Sequence, residues 1–569
     1  MPTGGPTGGV VLRQTIRGQR RRVIAASLLG MTHQGCEALV PVVIGATIDT
    51  AVATGSSTAL LRLLIVLAVL FLVLSTCYRT SARITEGGGE LAAHRLRLDL
   101  AARVLDPRGG ADADRLPGAL TSIATNDARR VGSVATVISY GVSAVAALVI
   151  SAIALLRISV PLGLLVLLGI PPLLWLGHRI SRPLERRSET EQERAAHASG
   201  VAADLVSGLR VLKGMGAESA AVARYRTTSQ DSLSAALRAA RSRAGHEGAV
   251  LALTGVFIAV IAVVGAYLAM DGSISVGDLV AAVGLAQFLL GPFQLLTYVN
   301  AELAQGRASA RRIAEVLASP VTVGTGKETP ADPAAGRLAL RGVSLGALRG
   351  IDLDLPAGSL TGVVTRDPAA AADLLVCLAR EADPAEGAVE LDGTPLTSLD
   401  PDALRRAVLV AHHDADLFES TLLDNVRAGA GATAPDDPAP VERALRASAA
   451  DEVARLLPEG GDTLLAERGR SLSGGQRQRV ALARALAADR PVLVLHDPTT
   501  AVDTVTESRI AARLREIRRD RTTILVTTSP ALLAVTDRVV VLEDGAVRAA
   551  GHHTELLAAD ASYRAAVLA

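Results

Sequence analysis

The residues best suited to chemistry form one short run, Leu472-Ser473-Gly474-Gly475-Gln476, followed at once by the helix-forming stretch from Arg477 to Leu486. Two glycines let backbone N–H groups come close to an anion, and the positive end of the helix dipole favours its charge. A serine in front of a helix is also an ordinary N-cap. What lifts this run above a cap is the pair of glycines and the Arg477-Gln478-Arg479 that follows. A second group, His33, Gln34 and Glu37, stands within about one turn of a long apolar stretch. Ionisable groups in such a place usually face a cavity or a partner helix. They suit cargo contact or proton-linked gating, or they are charges beside a water-filled vestibule. A third run, Gly324-Thr-Gly-Lys-Glu-Thr329, imitates a phosphate loop. Glu328 replaces its Ser/Thr, Val321 replaces its first Gly, and it lies in a Pro- and Gly-bearing linker.

These residues need elements to hold them. Beyond Leu338, short β-rich runs (338–340, 362–364, 407–410, 492–495, 523–527 and 539–542) alternate with helical stretches. That alternation predicts an α/β domain with a largely parallel core. The first 300 positions are different. Apolar runs at about 23–50, 60–77, 131–156, 158–176, 249–270 and 276–299 fit spanning helices, each of which needs ~20 apolar residues. Mean hydropathy of +0.35 over 569 residues argues against a purely soluble protein. The basic residues orient the spans. Arg13, Arg17, Arg20, Arg21 and Arg22 precede the first, 82–130 carry eight, and 177–247 carry twelve, whereas 51–59 and 271–275 carry none. Basic segments stay in the cytoplasm, so both termini are expected there, in a multi-pass protein of the cell membrane. The first span is too long, and lacks the cleavage site, for a signal peptide. The two long excursions predict spans that continue as helices and reverse near Asp106–Leu116 and Gly208–Glu218. The expected domains are 1–318 (membrane), 319–337 (linker) and 338–569 (α/β). Net charge of +1 excludes a globally basic nucleic-acid binder, and Cys36, Cys77 and Cys377 are too few for a disulfide framework or thiolate metal site.

The motifs resemble those of ATP-binding-cassette (ABC) transporters over essentially the whole chain. Leu472–Gln476 matches the signature, Glu467-Arg468-Gly469 the segment ahead of it, 421–426 and 537–545 two further cassette stretches, and Pro498–Asp503 the D-loop. Gly208–Glu218 is similar to the second coupling-helix region of the exporter type. The resemblance implies a six-span α-helical domain followed by a cytoplasmic α/β P-loop-type cassette, the half-transporter layout. Phosphate loops need glycines, a Lys for the β/γ-phosphates and a Ser/Thr on Mg²⁺. At the matching place this chain reads Thr365-Arg-Asp-Pro-Ala-Ala-Ala-Ala-Asp373, with Ala371 for the Lys, Ala372 for the hydroxyl and the Asp373 charge where phosphate would lie. Only Lys213 and Lys327 are lysines, so none follows the linker to rescue the loop. His496 holds the Mg²⁺-linked Asp position of Walker B, Asp497 the catalytic Glu, His413 the Q-loop Gln and Thr528 the switch His. The adenine-stacking aromatic is missing, since no Phe, Tyr or Trp lies between Tyr298 and Phe418.

In the family, each ATP is sandwiched between one subunit's P-loop and the other's signature. The resemblance therefore implies a heterodimer, with this chain inactive alone. The partner is a second half-transporter with intact Walker A, Walker B and switch His, holding most of the ATP and Mg²⁺. Ser473, Gly474, Gly475 and Gln476 would meet the partner's nucleotide, and Asp503 would reach across the cassette interface. His413, His496 and Asp497 should converge on the vacated Mg²⁺ position. Their chemistry could hold a divalent metal, but drift at a dead site explains them without one. Exporter, importer of the siderophore kind, and non-transporting regulatory pseudo-ATPase all remain open at this point. So does the identity of the transported substrate, because fold does not fix cargo.

Overall fold

The structure is a computed structural model that describes residues 6–112, 115–331, 333–414, 416–430 and 438–568. The expected turn near Asp106–Leu116 and the expected linker 319–337 include residues 113–114 and 332, which lie outside that set. The chain forms two compact units, one of Met1–Ala101 with Pro117–Ala318, the other of Ala102–Leu116 with Ser319–Ala569.

The first unit is helical: α1 (Gly8–Gly18), α2 (Arg20–Thr47), α3 (Ser57–Val104), α4 (Pro117–Ser122), α5 (Ala128–Ile158), α6 (Val160–Ser207), α7 (Leu209–Met215), α8 (Glu218–Met270) and α9 (Val276–Leu317). Six helical stretches are long and apolar enough to cross a membrane: Arg20–Val52, Ser57–Val104, Pro117–Ile158, Val160–Ser207, Glu218–Met270 and Val276–Leu317. α3 and α6 have 48 residues each and α8 has 53, so spans run on into the charged excursions. At 1.5 Å rise, 48 residues reach about 72 Å, more than twice a bilayer core. Small residues let α2 and α9 meet backbone to backbone. A Cβ on Gly277 would sit 2.1 Å from the Gly45 carbonyl, so no other residue fits there. Asp49, at the end of the same span, accepts from the Gly277 N–H at 2.9 Å and from the Ser275 hydroxyl, while Ser275 and Asp278 close a capping box on α9. At the other end of the bundle, Asp127 is buried and accepts from Arg312 and Ser309 of α9 at 2.6–2.8 Å.

The second unit opens with 102–116, although this segment lies between two spans. The Arg405 guanidinium donates to the Pro107 carbonyl at 2.6 Å, Arg103 donates to the Ser319 carbonyl at 2.9 Å, and the Arg108 carbonyl accepts from Thr322 and Val323. The Arg108 guanidinium beside Asp106 holds that carboxyl down to about 2, so their ion pair persists at every physiological pH.

Strands β1 (Leu338–Leu345), β2 (Leu348–Leu355), β3 (Leu360–Thr365), β4 (Glu386–Leu391), β5 (Thr394–Pro395), β6 (Val408–Ala411), β7 (Val492–His496), β8 (Thr522–Val526), β9 (Arg538–Glu543) and β10 (Ala546–Gly551) form two sheets. One has the order β10-β9-β3-β8-β7-β6, parallel except for β10, and its central strands β3, β7 and β8 are almost wholly buried. Burial on both faces is why they read as unbroken apolar runs. The other sheet, β2-β1-β4-β5, is antiparallel, and of its strands only β1, through 338–340, is among the expected β-rich runs. Arg341 cuts the apolar run of β1 short, and Asp352, Asp354 and Glu390 interrupt those of β2 and β4, which hid these two from a search for β-rich runs. Helices α10 (Pro368–Leu378), α11 (Pro401–Ala407), α12 (Leu422–Ala430), α13 (Ala439–Ala447), α14 (Ala450–Leu456), α15 (Gly474–Ala487) and α16 (Thr504–Ile517) follow in chain order. Then come α17 (Pro530–Leu533), α18 (His553–Ala559) and α19 (Ala561–Val567).

Candidate functional site

At the tip of β3 a phosphate loop would leave its N–H groups bare. Here the chain turns straight into α10. Thr365 Oγ1 accepts from the Asp367 N–H at 3.1 Å, the Asp367 carboxylate accepts from Ala369 N–H at 2.9 Å, and the Asp367 carbonyl accepts from Ala371 N–H at 3.2 Å. Asp367 is the N-cap and Pro368 the first residue of the helix, a strong local start signal. The helix thus carries its own anion where a nucleotide phosphate would bind. Ala370 and Ala371, 1 % and 6 % exposed, pack in the core with Leu374 and Leu375 instead of lining a site. Asp373 was expected to project its charge into the phosphate position. It instead accepts from the Ala347 N–H at 2.6 Å, in the turn between β1 and β2. The residues of this loop do not fit ATP or Mg²⁺. Ala371→Lys alone is expected to leave ATP binding undetectable by fluorescent-nucleotide titration and to lower the unfolding temperature, because the ammonium enters an apolar core. Saturable binding to that variant would show that the cap does not close the loop.

His496 ends β7, and Asp497 follows in the left-handed region (φ 43°), which Asp tolerates better than most residues. His413 and His496 do meet, with their Nδ1 atoms 3.3 Å apart and the rings edge to face. His496 Nε2 lies 3.8 Å from the Asp497 carboxylate. Burial, helped by the neighbouring His413 and His412, pushes the His496 imidazole below its usual value, against the opposing pull of Asp497 and Asp414. The two Nδ1 atoms are within hydrogen-bond distance of one another. Among the described residues no three His, Cys, Asp or Glu side chains are arranged to hold a metal. Thr528 is exposed beyond β8, and the next residue, Ser529, donates to Glu507 at 2.8 Å.

The run Leu472–Gln476 leads into α15. Ser473 and Gln476 form a reciprocal capping box at the start of α15: the Ser473 N–H donates to Gln476 Oε1 at 2.9 Å, and the Gln476 N–H to Ser473 Oγ at 3.3 Å. Ser473 and Gly474 are exposed. A Cβ on Gly475 would stand 2.4 Å from the Ala501 carbonyl, so glycine is what lets α15 lie against the D-loop. Gln478 clamps the same contact, donating to Thr500 at 2.7 Å and accepting from Ala501 N–H at 2.8 Å. The sequence marks Gln478 only as part of the stretch Arg477–Arg479 and does not reveal this clamp. Asp503 caps α16, accepting from the Thr506 N–H at 2.9 Å, and this bond holds its carboxyl below the ordinary range. Its chain-internal partner was not foreseen. Arg468, Arg470 and Arg477 border Gly474 in a cleft of about 610 Å³, with Arg468 also 3.3 Å from Asp416. An exposed serine and glycine at a helix start beside three guanidinium groups suit a polyphosphate.

In the first unit, His33 and Glu37 acquire a neighbour that the sequence did not reveal. The His33 ring lies 5.2 Å from that of Tyr78, its Nδ1 is 3.1 Å from the Leu74 carbonyl, and its Nε2 is 3.6 Å from Glu37. Gln34 Oε1 is buried without a partner among the described residues.

The sequence matches the family described as "ABC transporter transmembrane region" over residues 23–293 and that described as "ABC transporter" over 348–500. It is 34% identical over 469 residues to a multidrug efflux ATP-binding/permease protein of Mycobacterium tuberculosis, covering 80% of this chain and 39% of that protein's length. It is 31% identical over 410 residues to an ATP-dependent lipid A-core flippase of Chromohalobacter salexigens, covering 70% of each. The structure is similar to that of a bacterial Atm1-family ABC exporter with ATP bound, with TM-score 0.74, 25% identity and coverage of 96% of this chain and 97% of that one.

Proposed function

Since the chain belongs to the ABC transporter family, with transmembrane region and ATP-binding cassette fused in an exporter-type fold, we propose that it is the degenerate half of a heterodimeric exporter. Its partner is a half-transporter with an intact P-loop, Walker B Glu and switch His. One composite site, the partner's P-loop closed by this chain's Ser473, Gly474, Gly475 and Gln476, binds and hydrolyses ATP with the partner's Mg²⁺. Asp503 stands at the cassette interface. Closure of that site drives alternating access of the spans and moves a small molecule, lipid or peptide out of the cytoplasm. The names of the relatives, efflux protein and flippase, support the outward direction. The distribution of arginines supports a multi-pass protein of the cell membrane with both termini cytoplasmic.

The observation that carries the asymmetry is the closed N-terminus of α10, capped by Asp367, beside the open and intact N-terminus of α15. A nucleotide-binding titration tests it. The purified pair is expected to bind about one ATP per heterodimer at saturation. Two tightly bound ATP molecules per heterodimer would refute the proposal.

A further inference from the structure

Glu507 lies in the first turn of α16, just beyond the cap Asp503. An acidic residue there is an ordinary complement to the helix dipole, but this side chain also joins two loops. Its Oε1 accepts from the Thr499 hydroxyl at 2.6 Å and from the Ser529 hydroxyl at 2.8 Å. Hydrogen bonds to a carboxylate at such lengths are among the stronger kinds in proteins. Thr499 is 2 % exposed, so removing the carboxylate would take the acceptor from a buried hydroxyl.

Each loop has its own anchor. Thr499 belongs to the D-loop, and its carbonyl accepts from the Val502 N–H at 2.9 Å, so holding Thr499 holds the turn that carries Ala501. Gln478 of α15 fixes the same turn from the other side, through Thr500 and Ala501. The Ala501 carbonyl is what Gly475 lies against. The place of the α15 N-terminus, with Ser473 and Gly474, is thus set from Glu507 by way of Thr499 and Ala501. Ser529 belongs to the loop after β8. There the Thr527 N–H donates to the Val363 carbonyl of β3 at 3.1 Å, and the Thr527 hydroxyl accepts from the Ser529 N–H at 3.2 Å. β3 is the strand that runs into the capped start of α10. One carboxylate therefore links the loop braced on that strand to the turn on which α15 rests.

We infer that Glu507 is a positioning residue for ATP hydrolysis: it hangs the D-loop on the loop after β8 and so fixes how the N-terminus of α15 meets the partner's nucleotide. The loop that carries Thr528 offers no imidazole, and its use is that of a brace. This rests on the proposed composite site. A misplacement of about 1 Å at a reacting centre can cost about 100-fold in rate, so a slack D-loop shows in turnover while the partner's P-loop still binds ATP.

The tie is read first in the full chain alone, in phosphatidylcholine nanodiscs, by hydrogen exchange and mass spectrometry. Glu507→Leu, which keeps the bulk and removes the acceptor, is expected to speed exchange over 499–503 about tenfold. Glu507→Gln, whose amide oxygen still accepts from both hydroxyls, should leave it within about twofold. Steady-state ATP turnover is then measured in the assembled pair. Glu507→Leu should lower kcat about tenfold and leave KM for ATP within about twofold. Glu507→Gln should keep most of the turnover. Thr499→Val, which removes one hydroxyl at nearly constant volume, should give the same loss as Glu507→Leu, and the double variant no more than either alone. Four results overturn the inference: exchange indifferent to Glu507→Leu, turnover of that variant close to the parent's, losses that add in the double variant, or Glu507→Gln as impaired as Glu507→Leu. A parent pair that hydrolyses no ATP overturns the composite site and the inference with it, whereas unaltered exchange in the lone chain overturns the inference alone.

Discussion

Purified and reconstituted by itself, the chain is expected to turn over ATP at less than about one-hundredth of the rate of the same chain joined to a half-transporter with an intact P-loop, Walker B Glu and switch His. The loss has three independent sources. The N–H groups that would cradle phosphate are taken by Asp367 and by the first turn of α10. No lysine follows Lys327, so nothing can neutralise β- and γ-phosphates as a P-loop lysine does. Asp497 and Thr528 stand where the family resemblance expects a catalytic Glu and the switch His, and on that reading a displaced general base is a poor one. Because catalysis of phosphoryl transfer is mostly positioning and charge stabilisation, losing all three leaves little. A steady-state phosphate-release assay measures this. Turnover by the chain alone at a rate near that of the pair would sink the asymmetric mechanism.

The second large effect concerns the signature. In the pair, Gly474→Ala in this chain should lower ATP turnover about 100-fold or more, comparable to removing a transition-state donor, while ATP still binds to the partner's P-loop. Gly475→Val should do the same, but it is the less clean experiment. Any side chain at 475 lies 2.4 Å from the Ala501 carbonyl and must displace the D-loop, whereas a Cβ at 474 meets only the Ala501 Cβ at an ordinary 3.5 Å. A loss with Gly474→Ala therefore reports approach to phosphate and not misfolding. Retained turnover with this variant would mean that this chain's signature takes no part in the working site.

The sequence by itself determined the parts whose information is local. Six apolar runs defined the spans, the Ser473-to-Gln476 run marked a helix start with two glycines, and the lack of any lysine beyond Lys327 was legible at once. Each depends on a contiguous stretch or on a residue type that is present or missing. Asp367-Pro368 is also a local signal, a Pro at the first helical position behind an acidic cap, set within the stretch that aligns with a phosphate loop. Only the tertiary structure decided the rest. It turned Asp373 to the β1–β2 turn, set His413 against His496 across 83 residues, and placed 102–116 with the second unit through Arg405 and Ser319. It also set the His33 ring beside that of Tyr78 on the next span. Such contacts join residues tens to hundreds of positions apart. Helical periodicity says which faces are polar, but the packing of helices and sheets alone says which polar faces meet.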